Sequence, residues 1–167
     1  MNAVLQPGRL LLPMGVAHLD AVLAIEAQAY AFPWSRGNFV DSLAADYPAQ
    51  VLYDEQGAIL GYFVAMGGVE EMHLLNLTVA PAVQGRGHGR YLLEAVVALC
   101  REQRASRLWL EVRQSNERAR AMYLRGGFSH VGVRKGYYPA ARGQREDATV
   151  MSLPIALPPE EVVRAVE

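Results

Sequence analysis

The sequence lacks several features that would point to secretion, membranes or nucleic acid. Only one of its 167 residues is a cysteine, so no intramolecular disulfide can form. That residue, Cys100, lies among apolar residues at helical spacing, which indicates the buried side of a helix and suits a reducing compartment. No apolar run is long enough to span a membrane, and the segment Met1–Leu12 has no signal-peptide pattern. We therefore expect a cytoplasmic protein.

The sequence also has no large excess of positive or negative charge. The formal net charge is -1, from 16 basic and 17 acidic residues. This balance argues against broad, non-specific binding to nucleic acid or to an anionic membrane. Internal repeats, low-complexity tracts and Gly/Ser linkers are absent as well. We expect one domain over residues 1–155 and a mobile tail over 156–167, where Pro158-Pro159 is in a position to start a short helix.

Hydrophobic periodicity predicts seven strands and four helices. In chain order these are a strand at 9–12, helices at 18–30 and 35–44, strands at 51–54, 59–66 and 72–79, a helix ending near 104, a strand at 107–113, a helix at 117–125, and strands at 128–134 and 147–153. Ser35 and Asn116 are predicted N-caps, and Gly126-Gly127 ends the fourth helix. This order predicts a mixed α/β sandwich.

The segment Gln84–Gly89 carries the strongest motif. Three glycines stand between an apolar strand and a helix, where the backbone N–H groups and the positive helix end favour an anion such as a pyrophosphate. The spacing does not match the dinucleotide fingerprint, and Arg90-Tyr91 replaces the Lys-Ser/Thr pair of a P-loop. A tight turn without a ligand is the alternative interpretation. The remaining pattern, Q-x-x-G-x-G, resembles the acetyl-CoA signature of the GNAT N-acetyltransferases.

Further matches narrow the resemblance. The run Leu108–Phe128 reads L-W-L-E-V-R-x-x-N-x-x-A-x-x-M-Y-x-x-x-G-F, and this is similar to the ribosomal-protein-alanine N-acetyltransferase branch of that family, the RimI type. An aromatic-Pro-Trp-Ser run at 32–35 and a Y-Y-P … R-E-D-A ending at 137–148 agree with the same branch. The resemblance covers about residues 9–155, in the family's order. It implies the GNAT fold, a mixed and mostly antiparallel sheet of about seven strands flanked by about four helices.

The same resemblance implies a reaction and two catalytic residues. The enzyme would transfer the acetyl group of acetyl-CoA directly to a protein N-terminus, namely the N-terminal alanine of a small-subunit ribosomal protein. Glu111 would be the general base, although an exposed strand carboxylate paired with an arginine is the structural alternative. Tyr123 would be the general acid, with a core-packed aromatic as the alternative. Glu71, on the preceding strand, is the reserve candidate for the base.

A larger set is implied to bind the cofactor. Two strand residues offer backbone groups to the thioester and the pantetheine arm, the glycine turn and its arginines hold the phosphates, and one asparagine combines capping with a cofactor contact. These residues are Leu77, Val79, Gln84, Gly85, Arg86, Gly87, His88, Gly89, Arg90 and Asn116. No metal is expected, because the histidines are scattered and the adjacent acids on one strand point to opposite faces.

The substrate entrance is implied by resemblance alone. Trp34 after the first helix, with Tyr137 and Tyr138 on the last hairpin, would wall an opening that admits a small N-terminal residue. Two alternatives stay open: a GNAT enzyme that acts on lysine or a small amine, and a non-catalytic acyl-CoA-binding module. The module has no need for Glu111 and Tyr123 together. We expect a monomer or weak dimer that contacts neither nucleic acid nor a membrane directly.

Overall fold

The computed structural model describes residues 8–160, and within that range it contains seven strands and four α-helices. The strands are β1 Leu10–Pro13, β2 Ala49–Tyr53, β3 Ile59–Gly67, β4 Glu71–Val79, β5 Arg107–Arg113, β6 Ser129–Pro139 and β7 Arg145–Pro154. The helices are α1 Leu19–Ala29, α2 Arg36–Ala44, α3 His88–Glu102 and α4 Glu117–Arg125. Short 3₁₀ turns precede α1, follow β4 and link β6 to β7. The predicted order of elements is confirmed.

All seven strands form one sheet in the order β1-β2-β3-β4-β5-β7-β6. Each neighbouring pair is antiparallel except β4 and β5, which run parallel. Between β3 and β4 the register shifts after Val64, so that Leu75 is an extra residue on β4. Such a bulge bends its strand and changes which face the following side chains occupy. The mixed, mostly antiparallel sheet of about seven strands predicted above is confirmed.

Helices cover both faces of the sheet. The larger core lies under α3 and α4 and contains Leu92, Leu108, Leu110 and Cys100, all almost fully buried. The smaller core lies under α1 and α2 around Phe39 and other buried residues of α1, β2 and β3. Strand β5 alternates between the two layers, since Leu108, Leu110 and Val112 enter the larger core and the intervening residues face the other way. The expected burial of Cys100 on an apolar helix face is confirmed.

Local chemistry sets the helix starts where the sequence predicts them. The Ser35 hydroxyl accepts a hydrogen bond from the backbone N–H of Asn38 at 3.1 Å, and the Asn116 side-chain oxygen accepts one from Ala119 N–H at 3.2 Å. Each N-cap thereby satisfies one of the helix's unpaired N–H groups. Gly127 follows α4 with φ of +96°, a left-handed backbone that glycine adopts without strain.

One predicted strand end needs correction, and packed contacts also occur near the expected end of the domain. Strand β6 continues past the predicted end at residue 134 as far as Pro139, because after a bulge Tyr138 pairs again with Glu146 of β7. At the other end, Ile155 is buried and Arg104 donates a hydrogen bond to the carbonyl oxygen of Pro158 at 2.8 Å, so packed contacts pass the predicted boundary at 155. Residues 158–160 are not helical. The rest of the predicted tail, 161–167, lies outside the described residues.

Candidate active site

The parallel strands β4 and β5 separate halfway along their length. They pair only from Glu71 to Leu74 on β4 and from Arg107 to Leu110 on β5. Beyond those residues, β4 stays paired with β3 and β5 with β7. The facing backbone groups of the two strands are therefore available to a ligand that can pair like an added strand.

A cavity of about 620 Å³ occupies the opening between the separated strands and reaches the start of α3 and α4. We call it the α3–α4 cavity. It is lined by Leu77 and Val79 of β4, by the glycine-rich turn and by residues of α4. Nine of the ten predicted cofactor-binding residues line it, Arg86 being the exception, and Tyr123 lines it as well. The structure thus brings most of the cofactor set and one catalytic candidate to the same place.

The glycines of the turn have two different physical roles. Gly85 and Gly87 adopt φ of +80° and +83°, which a residue with a Cβ adopts only with strain. Their backbone turns the chain into the N-terminus of α3, where unpaired N–H groups and the helix dipole favour an anion. Gly89 has ordinary helical geometry, but a Cβ there would lie 2.8 Å from the Met122 sulfur. Gly89 is therefore needed for the close packing of α3 on α4.

Polar side chains tie the turn to its neighbours. Gln84 donates to the carbonyl oxygen of Val79 at 3.2 Å and accepts from Arg118 of α4 at 3.2 Å. Arg9 donates to the carbonyl oxygen of Arg86 at 3.3 Å, with its guanidinium 4.9 Å from the ring centre of Tyr91. These contacts hold two guanidinium groups beside the turn. The resulting positive field complements the negative charge that the helix end favours.

Cationic side chains also line the cavity wall. Arg90, Arg118 and Arg125 all contribute to its lining. His88, the first residue of α3, has a buried Nδ1 with no hydrogen-bond partner among the described residues. Burial, followed by the nearby charges of Arg9 and Arg86, lowers the pKa of His88. Its imidazole is therefore neutral at pH 7, and the positive charge at this end of the cavity comes from arginines.

Tyr123 lies at the inner end of the cavity. Its ring packs 5.4 Å from the ring of Phe128 and is buried in the larger core. Burial, with smaller contributions from Tyr30 and Tyr138, raises the pKa of Tyr123 above its ordinary value. The hydroxyl thus remains a proton donor at neutral pH, and this geometry does not lower its pKa toward that of a thiol.

Glu111 lies on the opposite face of β5, away from the α3–α4 cavity lining. There it lines a second depression of about 370 Å³, which we call the His73 groove. The groove is formed by Met66, Gly68, Glu71, Met72, His73, Trp109, Glu111, Arg134 and Val150. The Glu111 carboxylate is only 8% exposed, and its two oxygens contact His73 Nε2 at 2.5 Å and Arg134 Nε at 3.1 Å.

The charge state of Glu111 follows from opposing contributions. Burial alone would raise the pKa of Glu111, but the hydrogen bond and charge of His73 and the guanidinium of Arg134 outweigh it. The net effect holds the pKa of this carboxyl below its ordinary value. Glu111 is therefore an anion at neutral pH. It can accept a proton, but as a weak base it soon gives the proton up again.

Comparison with known proteins places this arrangement in a family. A model of the acetyltransferase (GNAT) family matches residues 19–128, which include both strands of the splay, the glycine turn and α4. The chain belongs to the GNAT acetyltransferase family. The [ribosomal protein bS18]-alanine N-acetyltransferase of Haemophilus ducreyi is 39% identical over 134 residues, 80% of this chain and 92% of the relative. The protein of that name from Escherichia coli K12 is 37% identical over 139 residues, 83% of this chain and 93% of the relative.

Solved structures agree with the fold. The crystal structure of the ribosomal-protein-S18-alanine N-acetyltransferase from Escherichia coli superposes with a TM-score of 0.82 at 34% identity, covering 92% of this chain and 98% of that one. Ard1 from Thermoplasma volcanium superposes with a TM-score of 0.78 at 21% identity, covering 89% and 99%. The second likeness concerns the fold alone. This GNAT chain therefore shares its architecture with proteins well beyond its near relatives.

The three residues predicted to wall the substrate entrance lie outside the lining of the α3–α4 cavity, and their role stays a prediction. Trp34 does not line the α3–α4 cavity, because its ring packs on Phe39 of α2 at 5.1 Å. Phe32, two residues earlier, lines the cavity instead. Tyr137 and Tyr138 pack edge to face with ring centres 4.9 Å apart, outside the cavity lining. The predicted aromatic loop is present, but a different aromatic residue of it lines the cavity.

Sequence reasoning missed the arginine that joins these walls. Arg113 ends β5, lines the cavity and places its guanidinium 4.5 Å from the Tyr138 ring centre and 5.3 Å from that of Phe32. It also donates to the carbonyl oxygen of Pro139 at 2.8 Å and to Glu146 at 3.2 Å. The signal was its position two residues after Glu111, which puts both side chains on one face of the strand. Arg113 holds the two sides of the entrance together.

A buried carboxylate in α1 was also missed. Glu26 is 1% exposed and accepts hydrogen bonds from Tyr62 hydroxyl at 2.8 Å, Asn76 Nδ2 at 2.7 Å and Trp34 N–H at 2.9 Å. Fully paired polar groups of this kind fix the elements that carry them. Here the network anchors the loop that contains Phe32 to the bulged part of β4. The signal available in the sequence was an acid on the apolar side of a predicted helix.

Two further observations concern residues 8–160. No helix in that range combines the length and the apolar character needed to span a membrane. No group of three or more histidine, cysteine, aspartate or glutamate side chains there is arranged to hold a metal ion.

Proposed function

We propose that this protein transfers the acetyl group of acetyl-CoA to the N-terminal α-amine of a protein, with the N-terminal alanine of ribosomal protein bS18 as its substrate. The named relatives support this substrate, since they align over four fifths of the chain at 37–39% identity. The observation that carries the reaction is the splay of β4 and β5. It opens a cofactor-sized cavity on one side of β5, and the buried Glu111 carboxylate lies on the other side of the same strand.

Acetyl-CoA fits the α3–α4 cavity by chemistry. The diphosphate belongs at the backbone N–H groups of Gly85–Gly89, with arginines beside them. The pantetheine amides belong along the free edge of β4, where Leu77 and Val79 offer backbone groups to the arm and to the thioester carbonyl. When bound, the cofactor supplies an activated acetyl group and a thiolate leaving group.

The energetics of proton removal favour an α-amine over a lysine. A free α-amine has a pKa near 7.7–8.0, so its deprotonation at pH 7 costs about 1 kcal/mol, whereas a lysine near 10.4 costs about 4.6 kcal/mol. Glu111 is a weak base because His73 and Arg134 keep its pKa low. A weak base is sufficient to deprotonate an α-amine, but it is poorly matched to a lysine side chain. The side-chain environment of Glu111 therefore supports Nα-acetylation.

The chemical steps divide between the two faces of β5. Glu111 receives the amine proton through water, since it does not line the cavity itself. The neutral amine attacks the thioester carbonyl while backbone N–H groups of β4 stabilise the oxyanion. As the tetrahedral intermediate collapses, the protonated Tyr123 hydroxyl donates to the departing sulfur, and the second proton lost by the nitrogen restores the hydroxyl. Because the pKa of Tyr123 is raised, a free thiolate is a weaker base than the Tyr123 phenolate and would not take its proton. The donation therefore has to occur while the carbon–sulfur bond is breaking.

The entrance supports a small first residue. Phe32 and Arg113 narrow the cavity where a peptide must meet the thioester, and Tyr138 closes the side toward β6. A ribosomal substrate also places the reaction in the cytoplasm. The mechanism needs one copy of the chain, no nucleic acid and no membrane, so we propose a monomer or weak dimer as the working form.

The experiment that tests this function is CoA release from acetyl-CoA with three peptides. The first carries the N-terminal alanine and following residues of bS18, the second is the same peptide with a blocked N-terminus, and the third offers only an internal lysine. We expect turnover of the first peptide alone, lost in Glu111→Gln. Turnover of the lysine peptide would identify a different GNAT activity. Tight acetyl-CoA binding without turnover of any peptide would favour a binding module.

A further inference from the structure

Acetylation of an ammonium group releases one proton in every turnover. At pH 7 most of an α-amine is protonated, and the nitrogen loses two protons in becoming an amide. One of them completes the thiol of CoA and the other must reach water. An inference about that second proton rests on the proposed function, because it concerns how the same site disposes of it.

Glu111 is poorly placed to release a proton by itself. Its carboxylate is 8% exposed and both oxygens are occupied, Oε1 by Arg134 at 3.1 Å and Oε2 by His73 Nε2 at 2.5 Å. A guanidinium cannot accept a proton at any accessible pH, whereas an imidazole nitrogen can. Of the two groups in contact with Glu111, only His73 can take the proton onward.

His73 connects Glu111 to solvent. Its side chain is 27% exposed, more than three times the exposure of Glu111, and it lines the His73 groove. Nε2 faces Glu111, and the described residues 8–160 give the other ring nitrogen, Nδ1, no hydrogen-bond partner. A water molecule in the groove is therefore the natural partner of Nδ1. The groove shares no lining residue with the α3–α4 cavity, so this path does not cross the cofactor.

The charged groups around His73 come from several strands. Strand β5 contributes Glu111 and Arg107, β6 contributes Arg134, and β4 itself contributes Glu71. The neighbouring residues of β3 and β7 at the groove, Met66 and Val150, do not titrate. Among these groups Glu111 is the one that forms a hydrogen bond with the ring. The charge of His73 is therefore coupled most directly to that of the proposed base.

We propose that His73 is the outlet for the proton released by acetyl transfer, taking it from Glu111 and delivering it to water in the His73 groove. The amine N–H bond breaks as an O–H bond forms, through water, on Glu111. The proton then moves from Glu111 oxygen to His73 Nε2, which restores the carboxylate and makes an imidazolium. Loss of the Nδ1 proton to groove water leaves a neutral ring that carries its proton on Nε2, and proton exchange through groove water returns the ring to its Nδ1–H form before the next turnover. His73 acts through Glu111 and is a positioning and relay residue, not a group that touches the substrate.

The test is the pH dependence of kcat for His73→Gln with the bS18 alanine peptide. Glutamine keeps a hydrogen-bond donor near Glu111 but cannot carry the proton. We expect kcat of the wild-type enzyme to rise with pH, because groove water accepts the released proton more readily as pH rises. In the variant, kcat at pH 7 should fall about 10-fold and its half-maximal pH should move up by roughly one unit, toward the range of the amine itself. Free imidazole should restore part of the activity of His73→Ala.

The matched control is His130→Gln, an exposed histidine of β6, with unchanged acetyl-CoA affinity of all variants as the check on folding. An equal loss of kcat at every pH, without imidazole rescue, would mean that His73 only orients Glu111 and would overturn the proposal. Identical curves for the wild type and His73→Gln would overturn it too. A wild-type enzyme with no turnover of the peptide would overturn the proposed function and, with it, this inference.

Discussion

The two faces of β5 build their parts of the site in different ways. On the cavity face, the residues proposed to hold the cofactor diphosphate are close in sequence, since the turn at 84–89 leads directly into α3. On the groove face, Glu111 meets His73 from 38 residues earlier and Arg134 from another strand. The first face depends on backbone conformation, which local sequence dictates. The second depends on strand register, which only the assembled sheet provides.

The comparison predicts which variants affect binding and which affect chemistry. Changes on the cavity face should alter acetyl-CoA affinity, whereas changes on the groove face should alter kcat and its pH dependence. The largest expected effect concerns the base. Glu111→Gln keeps the shape and the contacts with Arg134, but it cannot accept a proton.

We expect Glu111→Gln to lower kcat by about 10²–10⁴-fold, the usual contribution of a positioned general base, with unchanged acetyl-CoA affinity. Steady-state kinetics and calorimetry measure the two quantities separately. Glu71→Gln is the control, since Glu71 lines the same groove but is exposed and does not contact Glu111 in the described structure. A larger loss in Glu71→Gln than in Glu111→Gln would transfer the base role to β4.

Tyr123→Phe should have the next largest effect, a loss of about 10–100-fold in kcat. Burial raises the pKa of Tyr123, so its hydroxyl stays protonated as pH rises and wild-type kcat should show no alkaline decline below about pH 10. Tyr47→Phe, in the smaller core, is the control. An alkaline decline near pH 8 or 9 that disappears in Tyr123→Phe would show instead that the site lowers this pKa.

These first two residues show how far the sequence alone reached. The motifs placed Glu111 and Tyr123 in the correct elements, because strand alternation and helix capping are local properties. Their relative position was not predictable, since Glu111 lies in the His73 groove on one face of the sheet and Tyr123 lines the α3–α4 cavity on the other. His73, Glu26 and Arg134 were missed as partners because their contacts exist only in the assembled sheet. The His73 contact depends on the parallel pairing of β4 with β5, the Glu26 network on the bulge at Leu75, and the Arg134 contact on the order β5-β7-β6. Trp34 is partly buried against Phe39, and its role in the substrate entrance stays a prediction.

The cavity face is tested by a pair of glycines. Gly87 and Gly57 have nearly the same backbone, with φ of +83° and +81°, and a Cβ at either meets no atom closer than 3.8 Å. Replacement by alanine should therefore cost each variant about 1 kcal/mol of folding stability through strain alone. Only Gly87→Ala should weaken acetyl-CoA binding, by about 10-fold, since it distorts the anion cradle. Equal acetyl-CoA affinities in the two variants would remove the turn from the cofactor site.

The entrance is tested by the two aromatic residues that the sequence did not distinguish. Phe32→Ala should raise the peptide KM several-fold with little change in stability, because the ring is exposed and lines the cavity. Trp34→Ala should instead lower stability by about 2 kcal/mol, because its ring packs against Phe39. Peptide kinetics and urea unfolding of both variants separate the two roles. A raised peptide KM in Trp34→Ala and a loss of stability in Phe32→Ala would instead assign the substrate entrance to Trp34.

The smallest expected effect is on stability in acid, and it concerns the groove face alone. The folded-state pKa of Glu111 lies below its ordinary value, so the ionised carboxylate stabilises the fold at pH values above about 4.3, where the unfolded chain is also ionised. As pH falls through the folded-state pKa, both states become protonated and this contribution is lost. The stability advantage of the wild type over Glu111→Gln in urea unfolding should therefore shrink on acidification from pH 7. A difference that stays constant or grows would mean that His73 and Arg134 do not favour the charged form. Glu111 would then be held in the His73 groove by packing alone. The groove face of β5 would no longer differ from the cavity face by having a charge-stabilised carboxylate.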